Sequence, residues 1–195
     1  MILNRISVYC GSSVGDDESY AAAARDLAQV LCERGIGVVY GGGAVGIMGV
    51  LADAMLEHGG EVIGVIPKAL AIKEVAHEGL SEMHVVASMH ERKALMAELA
   101  NGFIAMPGGW GTLEEIFEML TWAQLGFHEK PCGLLNVGGY FDGLIDFLEN
   151  AFAHKFVKEL YRPLLMSSHE PQLLLEQFAV YQAPRVRKWM GEGEL

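Results

Sequence analysis

The chain has 195 residues, 51% of them hydrophobic and 20% charged, a globular rather than a disordered composition, and one domain with a full core is the default at this length. Its formal net charge of −11 argues against nucleic-acid polymers as partners, because their binders carry basic stripes, and an anionic small ligand would need local positive groups. The three cysteines, Cys10, Cys32 and Cys132, are far apart and form no CxxC pair, so a reducing, cytoplasmic setting is the simplest reading.

In chain order, Ile6–Tyr9 reads as a strand and Glu18–Arg34 as a helix. Val38–Tyr40 is a strand, Gly46–His58 a helix, and Val62–Ile66 a strand ended by Pro67. An irregular excursion runs from Pro67 to Gly79, followed by a short strand at His84–Val86. Ser88–Ala100 reads as a helix, Phe103–Met106 as a strand and Thr112–Leu125 as a helix. Gly133–Val137 is the next strand, Phe141–Phe152 a helix and Glu170–Phe178 a last helix. This alternation predicts an α/β fold: a doubly wound parallel sheet with helices on both faces, occupying residues 1–181 as a single domain. Residues 182–195 read as a frayed, flexible C-terminal tail.

The N-terminus goes straight into a strand, without the charged and apolar regions of a secretory signal. Gly35–Ala52 carries no charge, but its seven glycines and strand–turn–helix pattern make a membrane span a poor reading. No membrane partner is expected.

Three glycine turns follow predicted strands. Cys10-Gly11-Ser12-Ser13 offers hydroxyls that either hold a ligand or cap a turn; Cys10 itself reads better as a small buried hydrophobe than as a site residue. Gly41-Gly42-Gly43-Ala44-Val45-Gly46 fits G-x-G-x-x-G, with nucleotide contact and a plain tight turn evenly balanced. The next strand ends Val65-Ile66-Pro67-Lys68 without the acidic residue of a dinucleotide site, which disfavours NAD. The third turn is the most specific: Met106-Pro107-Gly108-Gly109-Trp110-Gly111-Thr112 leads into a helix. Its glycines allow close approach, and the helix start offers free N–H groups and partial positive charge, a ready phosphate seat. Glu114 and Glu115 follow at once and would repel a bare anion, which points to chemistry beside a bound phosphate.

Arg92 shares a helix face with Leu95, Met96 and Leu99. A charge on that apolar face, near a helix start, calls for an anionic partner; the alternative is a snorkelling side chain paired with Glu91 or Glu98. His90 and Lys93 make the patch basic. Thr112-Leu113-Glu114-Glu115 also fits a capping box with Thr112 as N-cap, so cap and catalyst both remain open for Glu115, while Glu114 is expected to face solvent. Ser88 to Glu91 is a second such box, read as a cap. The histidines show no metal-site spacing, and no metal is expected. Helix Thr112–Leu125 is apolar nearly all round, which suggests cover by a second copy in a homodimer or burial deep within one chain.

Pro107-Gly108-Gly109-Trp110-Gly111-Thr112-Leu113-Glu114-Glu115 resembles the PGGxGTxxE motif of the Lonely Guy family, the cytokinin riboside 5′-monophosphate phosphoribohydrolases once called "lysine decarboxylase-like". The resemblance extends to Cys10–Ser13, Tyr40–Gly43, Gly46–Gly49, Met89–Lys93 and Thr121–Gly126, with Trp110 standing where many members have Tyr. It implies a Rossmann-like homodimer that cleaves the N-glycosidic bond of purine nucleoside 5′-monophosphates, releasing free base and ribose 5-phosphate without a metal or organic cofactor. By matching positions it implies Arg92 and Glu115 as catalytic residues. Glu74, Arg92, Lys93, Gly109, Trp110, Gly111, Thr112, Leu113, Glu114, Glu115 and Thr121 would line the substrate. Two other readings stand beside it: a non-catalytic nucleotide carrier or sensor on the same fold, and a pyridoxal-phosphate decarboxylase, for which no lysine is singled out.

Overall fold

The computed structural model describes residues 2–71 and 76–184. Seven strands form one parallel sheet in the order β4-β3-β2-β1-β5-β6-β7. They are β1 (Arg5–Tyr9), β2 (Gly37–Tyr40), β3 (Val62–Pro67), β4 (Glu82–Val86), β5 (Phe103–Ala105), β6 (Cys132–Leu135) and β7 (Leu165–Ser168). The helices are α1 (Glu18–Glu33), α2 (Gly46–Glu57), the single turn α3 (Lys68–Ala71), α4 (Met89–Leu99), α5 (Trp110–Leu125), α6 (Asp142–Ala153) and α7 (Pro171–Val180). The doubly wound parallel architecture expected from the alternation is the one observed.

Two cores explain the apolar runs. On one face α1 and α2 bury Leu27 and Leu51 against β1 and β2, and α7 buries Leu174 and Phe178 against β6 and β7. On the other, Met96 of α4 and Ile116 and Met119 of α5 pack on Tyr9, Ile63 and Phe103, with Leu144 and Ile145 of α6 at the margin. Strands covered on both sides must be apolar throughout, as β2, β3 and β6 are. Edge strand β4 escapes that demand and is half-exposed.

The sequence reading finds six of the strands and misses β7. That strand is a four-residue edge, Leu165-Met166-Ser167-Ser168, paired only with β6, and it follows a 3₁₀ turn at Glu159–Leu164. The uncharged stretch of residues 35–52 is the β2–turn–α2 unit, and among the described residues no helix is long and apolar enough to cross a membrane. Of the expected tail, residues 185–195 lie outside the described residues, as does Glu74.

One start signal is corrected. Helix α5 begins at Trp110 with Gly109 as N-cap and makes no side-chain cap, so Thr112 lies inside the helix and the Thr112–Glu115 capping box does not form. Thr112 turns inward and is 3% exposed. The box at Ser88 does form: Ser88 Oγ accepts from Glu91 N at 3.1 Å, and Glu91 returns the contact one residue early, accepting from Ala87 N at 2.7 Å. At its far end α5 closes on Gly126 in the left-handed conformation, with Phe127 N donating to Trp122 O at 2.9 Å.

Candidate active site

The chain winds outward from β1 to β4, then returns to place β5 on the other side of β1. The strand order reverses there, and α/β sheets bind ligands at such a switch point, beyond the carboxyl ends of the strands. The loops after β1 and β5 meet backbone to backbone: Gly11 N donates to Pro107 O at 3.0 Å. A Cβ at Gly108 would lie 2.8 Å from Gly11 N, so only glycine permits the approach.

The two helix starts beside this junction differ. At α2, Ile47 N and Met48 N both donate to Gly11 O, at 3.0 and 3.4 Å, so the second glycine turn directs its leading N–H groups into the fold. At α5 the first N–H with a backbone acceptor is that of Leu113, on Gly109 O at 3.2 Å. Those of Trp110, Gly111 and Thr112 have no backbone acceptor among the described residues. With no side-chain cap at Gly109, α5 presents among the described residues open donors and the positive end of a sixteen-residue helix.

Arg92 of α4 and Glu115 of α5 meet just inside that start. Arg92 Nη2 lies 3.7 Å from Glu115 Oε1, and the residues are only 6% and 7% exposed. That separation is an ion pair without a close hydrogen bond, so the guanidinium keeps donors available. Its Nε is buried without a hydrogen-bond partner among the described residues, and Nη1 reaches only Met89 Sδ at 3.8 Å. Buried polar groups of this kind are rare in folds and point to a ligand. The absence of a Cβ at Gly41 makes room for the guanidinium, since an added Cβ would strike Nη2. The second glycine turn therefore serves the site by housing Arg92. Burial, and then the negative charge of Glu115, push up the pKa of the Tyr9 phenol and the Cys10 thiol at the end of β1, so both stay protonated beneath the pair.

Lys93, next to Arg92, is 4% exposed, hydrogen-bonds to Glu114 and forms an ion pair with Glu118 at 3.0 Å. Glu114 is thus half-exposed but engaged, not simply turned to solvent. Leu113 packs against the core. Trp110 is 90% exposed at the helix tip. Thr121 is not brought to the pair: it lies six residues beyond Glu115, on the other side of α5, where its Oγ1 donates to Phe117 O at 2.7 Å. It faces a groove of about 270 Å³ shared with Phe117, Leu148, Phe152 and Tyr161.

Two residues escaped the sequence reading. Tyr140, in the loop after β6, donates its hydroxyl to Gly108 O at 2.7 Å and so ties down the loop between β5 and α5. Glu118 carried one faint signal, its four-residue spacing from Glu114 on one helix face. Among the described residues no group of three His, Cys, Asp or Glu side chains is placed to hold a metal ion.

A doubly wound α/β fold with an open helix start beside a buried Arg–Glu pair defines the class of protein, and the comparisons with known proteins define the family. Residues 48–178 match a family described as "possible lysine decarboxylase". The chain is 47% identical over 178 residues to a cytokinin riboside 5′-monophosphate phosphoribohydrolase of Arabidopsis thaliana, covering 91% of this chain and 78% of the relative. It is 50% identical over 177 residues to the phosphoribohydrolase of that name from Oryza sativa subsp. japonica, covering 89% and 73%. Among solved structures, the molybdenum cofactor carrier protein of Chlamydomonas reinhardtii superposes with a TM-score of 0.67 at 19% identity, covering 91% of this chain and 98% of that one, a likeness of fold alone. The chain belongs to the Lonely Guy family.

Proposed function

We propose that the protein hydrolyses the N-glycosidic bond of purine nucleoside 5′-monophosphates, giving the free base and ribose 5-phosphate. The observation that carries this reading is the juxtaposition of the open α5 start with the buried Arg92–Glu115 pair. The N–H groups of Trp110, Gly111 and Thr112 take the 5′-phosphate. Glu115, one helical turn further in, faces the ribosyl carbon C1′. As the C1′–N9 bond breaks, its electron pair leaves with the purine and C1′ becomes cationic. The Glu115 carboxylate stabilises that cation and orients the water that adds to it. One hydrogen of that water ends on the base and the hydroxyl on C1′, so the reaction balances without a redox partner. Arg92 cannot act as the acid, because its guanidinium does not deprotonate; its unused donors hold the phosphate or the departing purine.

The two names in the family point to different reactions, and the site chemistry favours hydrolysis. A Schiff-base lysine needs a lowered pKa. Burial pulls Lys93 down, but the hydrogen bond from its ammonium to Glu114 and its ion pair with Glu118 outweigh it and hold the pKa above the ordinary lysine value.

The working form is inferred to be a homodimer. Leu113, Phe117, Leu120, Trp122 and Leu125 of α5 stay only half-buried within one chain, and Thr121, which the family resemblance puts at the substrate, lies away from the Arg92–Glu115 pair of its own chain, as it would if it served the site of a second copy. Light scattering tests this: a monomer mass would overturn it. The three free thiols suit a reducing, cytoplasmic location.

Incubation with AMP or isopentenyl-AMP, with chromatography of the free base, tests the reaction. Base release from at least one supports the hydrolase; binding of both with no base released makes the protein a carrier.

A further inference from the structure

Three carboxylates, Glu114, Glu115 and Glu118, crowd the first turns of α5, where an anionic phosphate is to bind. Two adjacent cations of α4 face them. Arg92 faces Glu115, while Lys93 engages both of the others. The family resemblance puts Lys93 among the substrate-lining residues, yet its buried ammonium is directed at two protein carboxylates.

We propose that Lys93, Glu114 and Glu118 form a charge clamp that positions Glu115 and shields it from its acidic neighbours, so that Lys93 acts on α5 and not on the substrate. The inference rests on the reading of Glu115 as the carboxylate that faces C1′. The geometry explains why carboxylates are tolerated beside a phosphate seat. One ammonium offsets the two that do no chemistry and ties α4 to α5 within one turn of the pair. Glu118, assigned no role by sequence, is the necessary second anchor: Glu114 is 55% exposed at its side chain and Glu118 only 23%. A partly buried anchor is less screened by solvent.

Among the described residues, Arg92 from α4, Tyr9 at the end of β1 and Cys10 just after it lie within electrostatic reach of Glu115. Glu118 borders a cavity of about 560 Å³ whose other ionisable groups are His90, Glu98, His128 and Lys130. Removing the Lys93 charge leaves Glu114 and Glu118 uncompensated. Like charges nearby disfavour ionisation, so the Glu115 pKa rises, and the acid limb of the pH–rate profile moves to higher pH. Removing Glu118 as well takes away one of the two offending charges and moves both back.

The test is a carbon-13 NMR titration of the Glu115 carboxyl in the full chain, wild type against Lys93→Met, Glu118→Gln and the double variant. The clamp predicts a rise of about one pH unit in Lys93→Met, recovery of at least half of it in the double variant, and a fall in Glu118→Gln. An unchanged Glu115 in Lys93→Met, or no recovery in the double variant, overturns the clamp. If Lys93→Met does not fold, Glu118→Gln alone decides: a fall supports the clamp, and no shift or a rise overturns it. This readout needs no turnover, so a wild type that releases no base would refute the proposed reaction and leave the clamp to be decided by NMR. With an active wild type, Lys93→Met should lose kcat roughly 10²-fold through misplacement, with partial rescue in the double variant. A rise in KM at unchanged kcat would make Lys93 a substrate ligand and overturn the proposal.

Discussion

The α2 and α5 starts are built from the same parts, a buried strand, a glycine-rich turn and a helix, and they do different work. In the α2 turn the glycines are required by the protein itself. A Cβ at Gly41 would strike Arg92, at Gly46 the backbone of Ser12 and Ser13, and at Gly49 the backbone of Ala44. In the α5 start, Cβ atoms at Gly109 and Gly111 would meet nothing within 4 Å, and neither glycine has positive φ. The fold does not demand those two glycines, and the open space beside them is what the proposed phosphate seat requires. The N–H groups differ in the same way: those of Ile47 and Met48 go to Gly11 O, while those of Trp110 to Thr112 have no backbone acceptor among the described residues. A glycine motif on its own does not identify a ligand site; where its N–H groups go, and what a Cβ would hit, does.

Substitutions in the two regions should therefore separate activity from stability. The largest effect is expected at Glu115. Glu115→Gln should keep the fold and lose on the order of 10²–10⁴ in kcat, measured as base release; wild-type turnover would leave Glu115 without a catalytic role. Gly46→Ala comes next, and its damage falls on the fold. The residue sits at φ +64° with neighbouring backbone where the Cβ would go, so a loss of roughly 1–3 kcal/mol is expected in urea unfolding. Stability equal to wild type would mean that the α2 turn is looser than described.

Gly111→Ala should behave in the opposite way. Alanine is the better helix former by up to about 1 kcal/mol, so melting should hold or rise, while KM for AMP rises roughly tenfold as the methyl group enters the phosphate seat. Unchanged KM would place the phosphate elsewhere. The smallest change is expected at Tyr140. Tyr140→Phe removes one hydrogen bond to Gly108 O, costing ~1 kcal/mol, or roughly fivefold in KM if the loop it braces holds the phosphate. An effect on melting alone would make that contact purely structural.

Much of this was legible in the sequence, for identifiable reasons. Central strands covered on both faces must be apolar, so Val38–Tyr40 and Val62–Ile66 stand out, whereas edge strand Leu165–Ser168 has no such constraint and was missed. Arg92 was conspicuous because a charge interrupts an apolar stripe, and it is buried against Glu115. Thr112 misled because T-x-x-E describes a cap locally, while the turn that ends at Gly109 starts the helix two residues earlier. The partners of Lys93 and Tyr140 could not be read, since 21 and 32 residues separate them from Glu114 and Gly108. Only the packing of α4 on α5, and of the β6 loop on the β5 loop, brings them together.

The central claim is that the α5 start holds the 5′-phosphate while Glu115 acts on the sugar beyond it. The most direct measurement compares kcat/KM for AMP and for adenosine, in wild type and in Gly111→Ala. Charge-assisted hydrogen bonds contribute about 1.5–3 kcal/mol each, so three at the helix start predict a wild-type preference for AMP of at least roughly 10³-fold, reduced in Gly111→Ala through the KM for AMP. Equal turnover of adenosine and AMP by the wild type would contradict the account.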